Sequence, residues 1–64
     1  MFDFQKRVIK EKEELLFKLD DLTTFIGGPI YPQLDDAEKV RLKTQSEIMR
    51  EYIEILSQRI NAFS

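Results

Sequence analysis

A short segment that contains glycine and proline, residues 27–33, separates two arms of this chain that share one apolar periodicity. Its sequence is Gly-Gly-Pro-Ile-Tyr-Pro-Gln. On both sides of it, apolar residues recur at three- and four-residue steps, which is the pattern of an amphipathic helix. Glycine and proline together interrupt helices. The sequence therefore predicts an all-α fold, in which residues 1–64 form one domain, an antiparallel two-helix hairpin.

Composition restricts what such a hairpin can do. The 64 residues include no cysteine and no histidine, so disulfides, thiolate metal sites and the commonest catalytic base are missing. Chains this short usually need a further stabiliser, and self-association is the one that remains. A net charge of −2 with interleaved signs argues against duplex-DNA binding, and no apolar run could span a membrane. We expect a cytoplasmic protein that is no enzyme and uses no metal or cofactor.

The first helix should run from about residue 3 to residue 26 and the turn from 27 to 35. Asp3 is placed to cap the start, and Gly27 suits a left-handed cap at the end, after which Pro29 prevents continuation. Residues on one face of this helix form its side of the seam with the second arm. They are Phe4, Val8, Glu11, Leu15, Leu19, Leu22 and Ile26.

The second helix should run from about residue 36 to residue 62. Asp35 followed by Glu38 has the spacing of a capping box, although Asp36 is an equally good cap. Folding the arms about the turn pairs residues whose numbers add up to about 64, and this places Glu11 opposite the Tyr52 hydroxyl. The stripe that faces the first helix is Leu42, Gln45, Met49, Tyr52, Leu56, Ile60 and Phe63.

A second apolar stripe on each arm would remain in water in a single hairpin. These residues are Phe2, Ile9 and Leu16 on the first arm, and Ala37, Ile48, Ile55 and Ala62 on the second. Burying these residues requires contact with other copies of the chain. The sequence therefore predicts a symmetric homo-oligomeric helical bundle, an even-numbered closed assembly with dimer and hexamer as the leading candidates. Phe17 lies opposite the seam and is either an interface anchor or a lone exposed side chain. The expected interface residues are Ile9, Leu16, Phe17, Ile48 and Ile55.

A polar line formed by Arg41, Gln45, Tyr52 and Arg59 follows the edge of the apolar surface on the second arm. Arginine suits phosphate, tyrosine offers a ring for a base, and glutamine both donates and accepts hydrogen bonds. These four residues and Arg7 are the candidate ligand-binding residues. The alternative is structural: Arg59 and Gln45 would meet acidic partners such as Glu11 across the seam, and Arg7 would form an i, i+4 pair with Glu11.

The whole pattern resembles a family of very small phage proteins, each built as one helical hairpin. It is similar to the hairpin domain of the phage anti-CBASS and anti-Thoeris nucleotide sponges. The resemblance covers nearly the whole chain and is carried by helix-spaced residues. On the first arm these are Phe4-Gln5-x-Arg7-Val8-Ile9-x-Glu11-Lys12-x-x-Leu15, Lys18-Leu19 and Leu22-x-x-Phe25-Ile26, and on the second Leu34, Glu38, Leu42, Gln45, Met49, Tyr52, Leu56, Arg59-Ile60 and Phe63.

This resemblance implies binding rather than catalysis. Such sponges assemble into symmetric oligomers, often hexamers, and hold cyclic oligonucleotide or cyclic ADP-ribose signals between protomers. The host immune effector is then never triggered, so the expected location is the cytoplasm of an infected host cell. The competing hypothesis is a phage interaction protein without catalytic activity, which binds a host or phage protein through its second apolar stripe.

Overall fold

Two long helices make up nearly all of the protein. The structure is a computed structural model that describes residues 1–63, so Ser64, the last residue of the predicted domain, lies outside the described residues. Helix α1 spans Asp3–Ile26, a 3₁₀ turn spans Tyr31–Gln33, and helix α2 spans Asp36–Asn61. No strand occurs in residues 1–63, which confirms the all-α prediction. The helices pack along each other as a hairpin that measures 46 × 15 × 13 Å.

The start of α1 differs from the prediction. Phe2, in extended backbone, is the N-cap residue, and its N–H donates to Oε1 of Gln5 at 2.8 Å. This is the glutamine half of a capping box. The prediction that Asp3 caps the helix is therefore wrong. Asp3 is the first helical residue, where its negative charge complements the N-terminal end of the helix dipole.

The turn also forms in another way than expected. Gly27 has φ −82° and ψ 0°, which is right-handed backbone, so the prediction of a left-handed cap at this position is wrong. Its N–H donates to the Thr23 carbonyl at 3.0 Å, as in a continued helical turn. The reversal is instead secured by the 3₁₀ turn and by Tyr31, whose hydroxyl donates to the Lys39 carbonyl at 3.1 Å.

Helix α2 begins with a side-chain cap. The Glu38 N–H donates to Oδ1 of Asp35 at 2.7 Å, and Asp35 has the extended backbone of an N-cap residue. This contact confirms Asp35 rather than Asp36 as the cap. Asp36 and Glu38 then lie in the first turn, where negative charge is favourable.

The core is thin and lies along the seam between the helices. Among residues 1–63, Val8 and Leu56 are the buried apolar residues, at 5 % and 1 % exposure. Ser46 is also buried, and its hydroxyl donates to the Lys43 carbonyl at 2.7 Å. Gln45, which was expected in the seam, is exposed, so that prediction is wrong. A serine whose hydroxyl is satisfied by its own helix is cheaper to bury than a glutamine amide. The half-buried apolar residues along the helices are Ile9, Leu15, Leu19, Leu22, Ile26, Leu42, Met49, Ile53 and Ile60.

Two contacts between the helices fix their relative positions along the hairpin. The Tyr52 hydroxyl donates to Oε2 of Glu11, which confirms the predicted pairing of these residues. At the open end, the rings of Phe4 and Phe63 meet edge to face, with centroids 6.0 Å apart. Pairing by numbers that add up to about 64 would instead place Phe4 opposite Ile60, about one helical turn before Phe63. These contacts set the register of α1 and α2 and so bring side chains of both helices to one groove.

Candidate ligand groove

A groove lies between the two helices towards the open end of the hairpin. Its volume is about 560 Å³, which is within the range of pockets that hold small molecules. We call it the Arg7–Arg59 groove, after the arginine that each helix contributes. The residues that line it are Phe4, Arg7, Val8, Lys10, Glu11, Glu14 and Arg59.

Arg7 and Arg59 bring two permanent positive charges to this groove from different helices. Neither forms an ion pair or side-chain hydrogen bond within residues 1–63, where the ion pairs are Lys10–Glu14, Lys39–Asp36 and Arg41–Glu38. The i, i+4 pair of Arg7 with Glu11 considered from the sequence is thus not formed. Since a guanidinium presents several N–H donors in a planar fork, both side chains have donors of the kind that suit an anionic group.

Glu11 and Tyr52 form the polar edge of the groove. The tyrosine hydroxyl occupies one carboxylate oxygen of Glu11, which leaves the other as an acceptor. This hydrogen bond raises the pKa of the Tyr52 hydroxyl above its ordinary value, and partial burial and the negative charge of Glu11 act in the same direction. The positive charge of Arg59 acts in the opposite direction and lowers the pKa of Tyr52.

A smaller pocket of about 230 Å³ continues from the groove along the same side of the hairpin. Tyr52 lines it with Glu11, Glu14, Leu15 and Lys18. Because Glu11 and Glu14 line both cavities, Tyr52 lies next to the Arg7–Arg59 groove rather than inside it. The structure therefore brings together three of the five predicted ligand-binding residues: Arg7, Tyr52 and Arg59.

The other two, Arg41 and Gln45, line a separate cavity nearer the turn. It has a volume of about 320 Å³ and includes Val40, Ile48 and other residues of α2. Arg41 is engaged there, since its Nε donates to Oε1 of Glu38 at 2.8 Å. The polar line read from the sequence is therefore divided between two places.

The predicted interface residues have unequal exposure. Phe17 is 75 % exposed and Leu16 44 %, while Ile48 and Ile55 are 58 % and 53 % exposed. Ile9 is only half-buried by its own chain, so it offers less surface to a partner than the sequence pattern suggested. Four of the five residues thus keep much of their apolar surface in water.

The sequence did not predict five of the residues that line the groove: Phe4, Val8, Lys10, Glu11 and Glu14. Phe4 was assigned to the seam, yet it is 48 % exposed. Lys10 and Glu14 follow Arg7 at steps of three and four residues, which places them on the same side of α1. This spacing was a usable signal, because it predicts that the three charged side chains share one surface.

Residues 1–63 contain neither a membrane-spanning helix nor a cluster of metal ligands. No helix there is both long and apolar enough to cross a membrane. No cluster of three or more acidic, histidine or cysteine side chains there has a geometry that could hold a metal ion.

Comparison with known proteins gives one positive result. No curated protein and no solved structure matches the chain. The model of the family named Sequestin matches residues 3–62, from the first residue of α1 to just beyond the end of α2. The match covers nearly the whole chain, and the protein therefore belongs to the Sequestin family.

Proposed function

We propose that this protein is a phage anti-defence sponge, which binds a cyclic nucleotide or cyclic ADP-ribose immune signal in the Arg7–Arg59 groove and does not cleave it. The family name, Sequestin, supports a sequestering role. The observation that carries the choice of ligand is the pair of arginines, Arg7 and Arg59, which line one groove and have no ion-pair partner among residues 1–63.

The lining of the groove suits each chemical part of such a ligand. The two guanidinium groups would bind phosphate oxygens through charge-assisted hydrogen bonds. The ring of Phe4, which is 48 % exposed, offers an apolar wall against which a base can pack. The free carboxylate oxygen of Glu11 would accept a hydrogen bond from a ribose hydroxyl or a base amine.

Sequestration needs stoichiometric binding and no chemical step. In this proposal the ligand leaves the groove unchanged, and the chain supplies no histidine or cysteine for nucleophilic or acid–base work. The protein acts in the cytoplasm of the infected host cell, where it lowers the free concentration of the signal below the level that the host effector requires.

Self-association is part of the same proposal. Antiparallel hairpins would assemble into a symmetric homo-oligomer, a dimer or a hexamer, that covers the exposed apolar residues. A groove on the surface of one hairpin is open to solvent on one side, and a neighbouring protomer would close it. A closed site excludes water and so strengthens the interactions between arginine and phosphate.

Isothermal titration calorimetry with the principal cyclic dinucleotides, cyclic trinucleotides and cyclic ADP-ribose isomers tests the proposal. The wild type should bind at least one of them with micromolar or lower Kd. Arg7→Ala and Arg59→Ala should each weaken binding by roughly 1.5–3 kcal/mol, the usual worth of a hydrogen bond to a charged group, which is about 10- to 150-fold.

Arg50→Ala is the matched control, since it removes the same charge from another place. Arg50 lines a different cavity with Thr23 and Ile26 and should leave binding unchanged. Chromatography of the denatured complex should return the ligand intact. Absence of binding tighter than millimolar across the panel would refute the sponge.

The second candidate is a phage interaction protein that binds a host or phage protein through its apolar stripe. The observation that favours it is the exposure of Phe17, Ile48 and Ile55 on a hairpin with little core. It predicts ligand-free oligomers that bind a protein target. It takes precedence if calorimetry finds no nucleotide binding tighter than millimolar.

A further inference from the structure

An apolar patch with an acidic border lies on the outer side of α1. Leu16 and Phe17 form its centre, at 44 % and 75 % exposure. Glu13 and Asp20 line the same depression. We call these four residues the α1 patch. It combines the features of an interaction surface, an exposed aromatic anchor with charged residues around it.

An apolar patch with a basic border lies on α2. Val40 and Ile48 are 63 % and 58 % exposed, and Arg41 and Gln45 line the same depression. We call these four residues the α2 patch. The Arg41 side chain donates through Nε to Glu38 but keeps 66 % of its surface exposed, so its terminal nitrogens remain accessible. The two patches therefore have similar centres and opposite charges at their borders.

Both patches point away from the seam of their own hairpin. Successive residues of an α-helix are rotated by about 100°. Phe17 follows the buried Val8 by nine residues and so lies on the far side of α1. Ile48 follows the buried Ser46 by two residues, about 200° around α2. One copy of the chain therefore cannot bury one patch against the other.

The patches nevertheless lie at the same height along the hairpin. The residues that meet across the seam, Glu11 with Tyr52 and Phe4 with Phe63, have numbers that add up to 63 and 67. By this register Phe17 is level with residues 46–50, and Ile48 is at the centre of that range. Asp20 is level with residues 43–47, about 3–9 Å along the axis from Arg41. The long side chain of Arg41 can bridge most of that distance.

We propose that the α1 patch of one copy docks onto the α2 patch of the next, head to tail, and that the chain of copies closes into a ring. A head-to-tail contact generates a ring if the rotation between successive copies closes without displacement along the axis, and an open assembly otherwise. Because the two patches share one height, docking requires no displacement. Asp20 of the acidic border then comes within reach of Arg41, and a self-pairing of either patch would place like charges together.

This inference rests on the self-association proposed above and is independent of the ligand. Two variants test it, Phe17→Asp, which disables the α1 patch, and Ile48→Asp, which disables the α2 patch. By analytical ultracentrifugation at micromolar concentration, the wild type should form a closed oligomer and each variant alone should be a monomer. An equimolar mixture of the variants should form a one-to-one heterodimer, because each supplies the patch that the other lacks.

Charge reversal provides a second test that leaves the apolar centres intact. Arg41→Glu should raise the concentration for half-dissociation of the oligomer by about tenfold or more, since it places like charges together. Adding Asp20→Arg to Arg41→Glu should restore most of that loss, although Asp20→Arg alone weakens assembly. Circular dichroism of every variant separates loss of assembly from loss of folding. If the aspartate variants unfold, the charge-reversal variants become the deciding test.

The outcomes separate the two proposals. A folded wild-type monomer would overturn self-association itself. A wild-type oligomer with either Phe17→Asp or Ile48→Asp still dimeric on its own would show that a patch pairs with itself, which overturns the head-to-tail ring alone. Ligand binding is measured independently by calorimetry, so its absence would not affect this result.

Discussion

Two neighbouring residues of α2, Ile55 and Leu56, differ sharply in exposure and allow the core to be tested directly. Leu56 is 1 % exposed and Ile55 53 % exposed. Replacing a fully buried leucine with alanine costs roughly 2–5 kcal/mol. A 64-residue chain has a total stability of only about 3–10 kcal/mol, at 0.05–0.15 kcal/mol per residue. We therefore expect Leu56→Ala to remove a large share of the stability of the hairpin at 25 °C, and all of it if the total lies near the lower end of this range.

Ile55→Ala is the matched control, because it removes apolar volume from the adjacent residue. About half of the Ile55 surface is in water in a single hairpin. If a partner protomer covers that exposed half, Ile55→Ala should cost roughly 1–2 kcal/mol, and the loss should appear as weaker self-association. Urea unfolding followed by circular dichroism at two protein concentrations measures both effects. Only the Ile55→Ala loss should depend strongly on concentration. If Leu56→Ala costs no more than Ile55→Ala, the seam has been assigned to the wrong face of α2.

Three further predictions concern local structure. Because the bond to Glu11 raises the pKa of Tyr52, the stability that it contributes is complete below the unfolded pKa of about 10 and is lost as pH rises through the higher folded pKa. Between pH 8 and 12, the melting temperature should thus fall more steeply for the wild type than for Tyr52→Phe. Equal slopes of melting temperature against pH would contradict the bond. Gly27→Ala should stabilise the protein by about 0.4–1 kcal/mol, since Gly27 already has helical backbone; destabilisation in urea unfolding would contradict this backbone. Asp35→Ala should cost about 0.5–2 kcal/mol through loss of the bond from Glu38, and Asp35→Asn should recover most of it by the same measurement.

The periodicity of the sequence was sufficient for the two helices but not for the middle of the α2 stripe. Between Leu42 and Met49, a step of three then four selects Gln45, and a step of four then three selects Ser46. Both paths are compatible with a helix, and both residues are polar, so hydrophobicity does not distinguish them. The way in which the helices lie against each other decides for Ser46, which is buried.

The helix ends show the same division between local and tertiary information. Asp35 could be identified as a cap because its bond to the Glu38 N–H forms within four residues of chain. The turn could not be predicted in detail, because it depends on a contact eight residues long, from Tyr31 to the Lys39 carbonyl. That contact holds the reversal without requiring left-handed backbone at Gly27.

The candidate site was predictable in part. Pairing Glu11 with Tyr52 followed from folding the two stripes about the turn, and the same register brings Arg7 near Arg59. The polar line could not be one site, however, since Arg41 and Arg59 are 18 residues apart and thus about 27 Å along a helix. That distance can be calculated from the sequence. The lack of ion-pair partners for Arg7 and Arg59 among residues 1–63 could be found only from the positions of side chains.

Native mass spectrometry of the wild type with a mixture of cyclic dinucleotides, cyclic trinucleotides and cyclic ADP-ribose isomers tests the central claim most directly. It reads the mass of the assembly and of whatever it holds in a single spectrum. Sequestration predicts a homo-oligomer that carries one or more intact cyclic ligands, and loss of those ligands in the Arg7→Ala, Arg59→Ala double variant but not in Arg50→Ala. A spectrum with no bound ligand, or with a ligand that has gained the mass of a water molecule and so been hydrolysed, would contradict it.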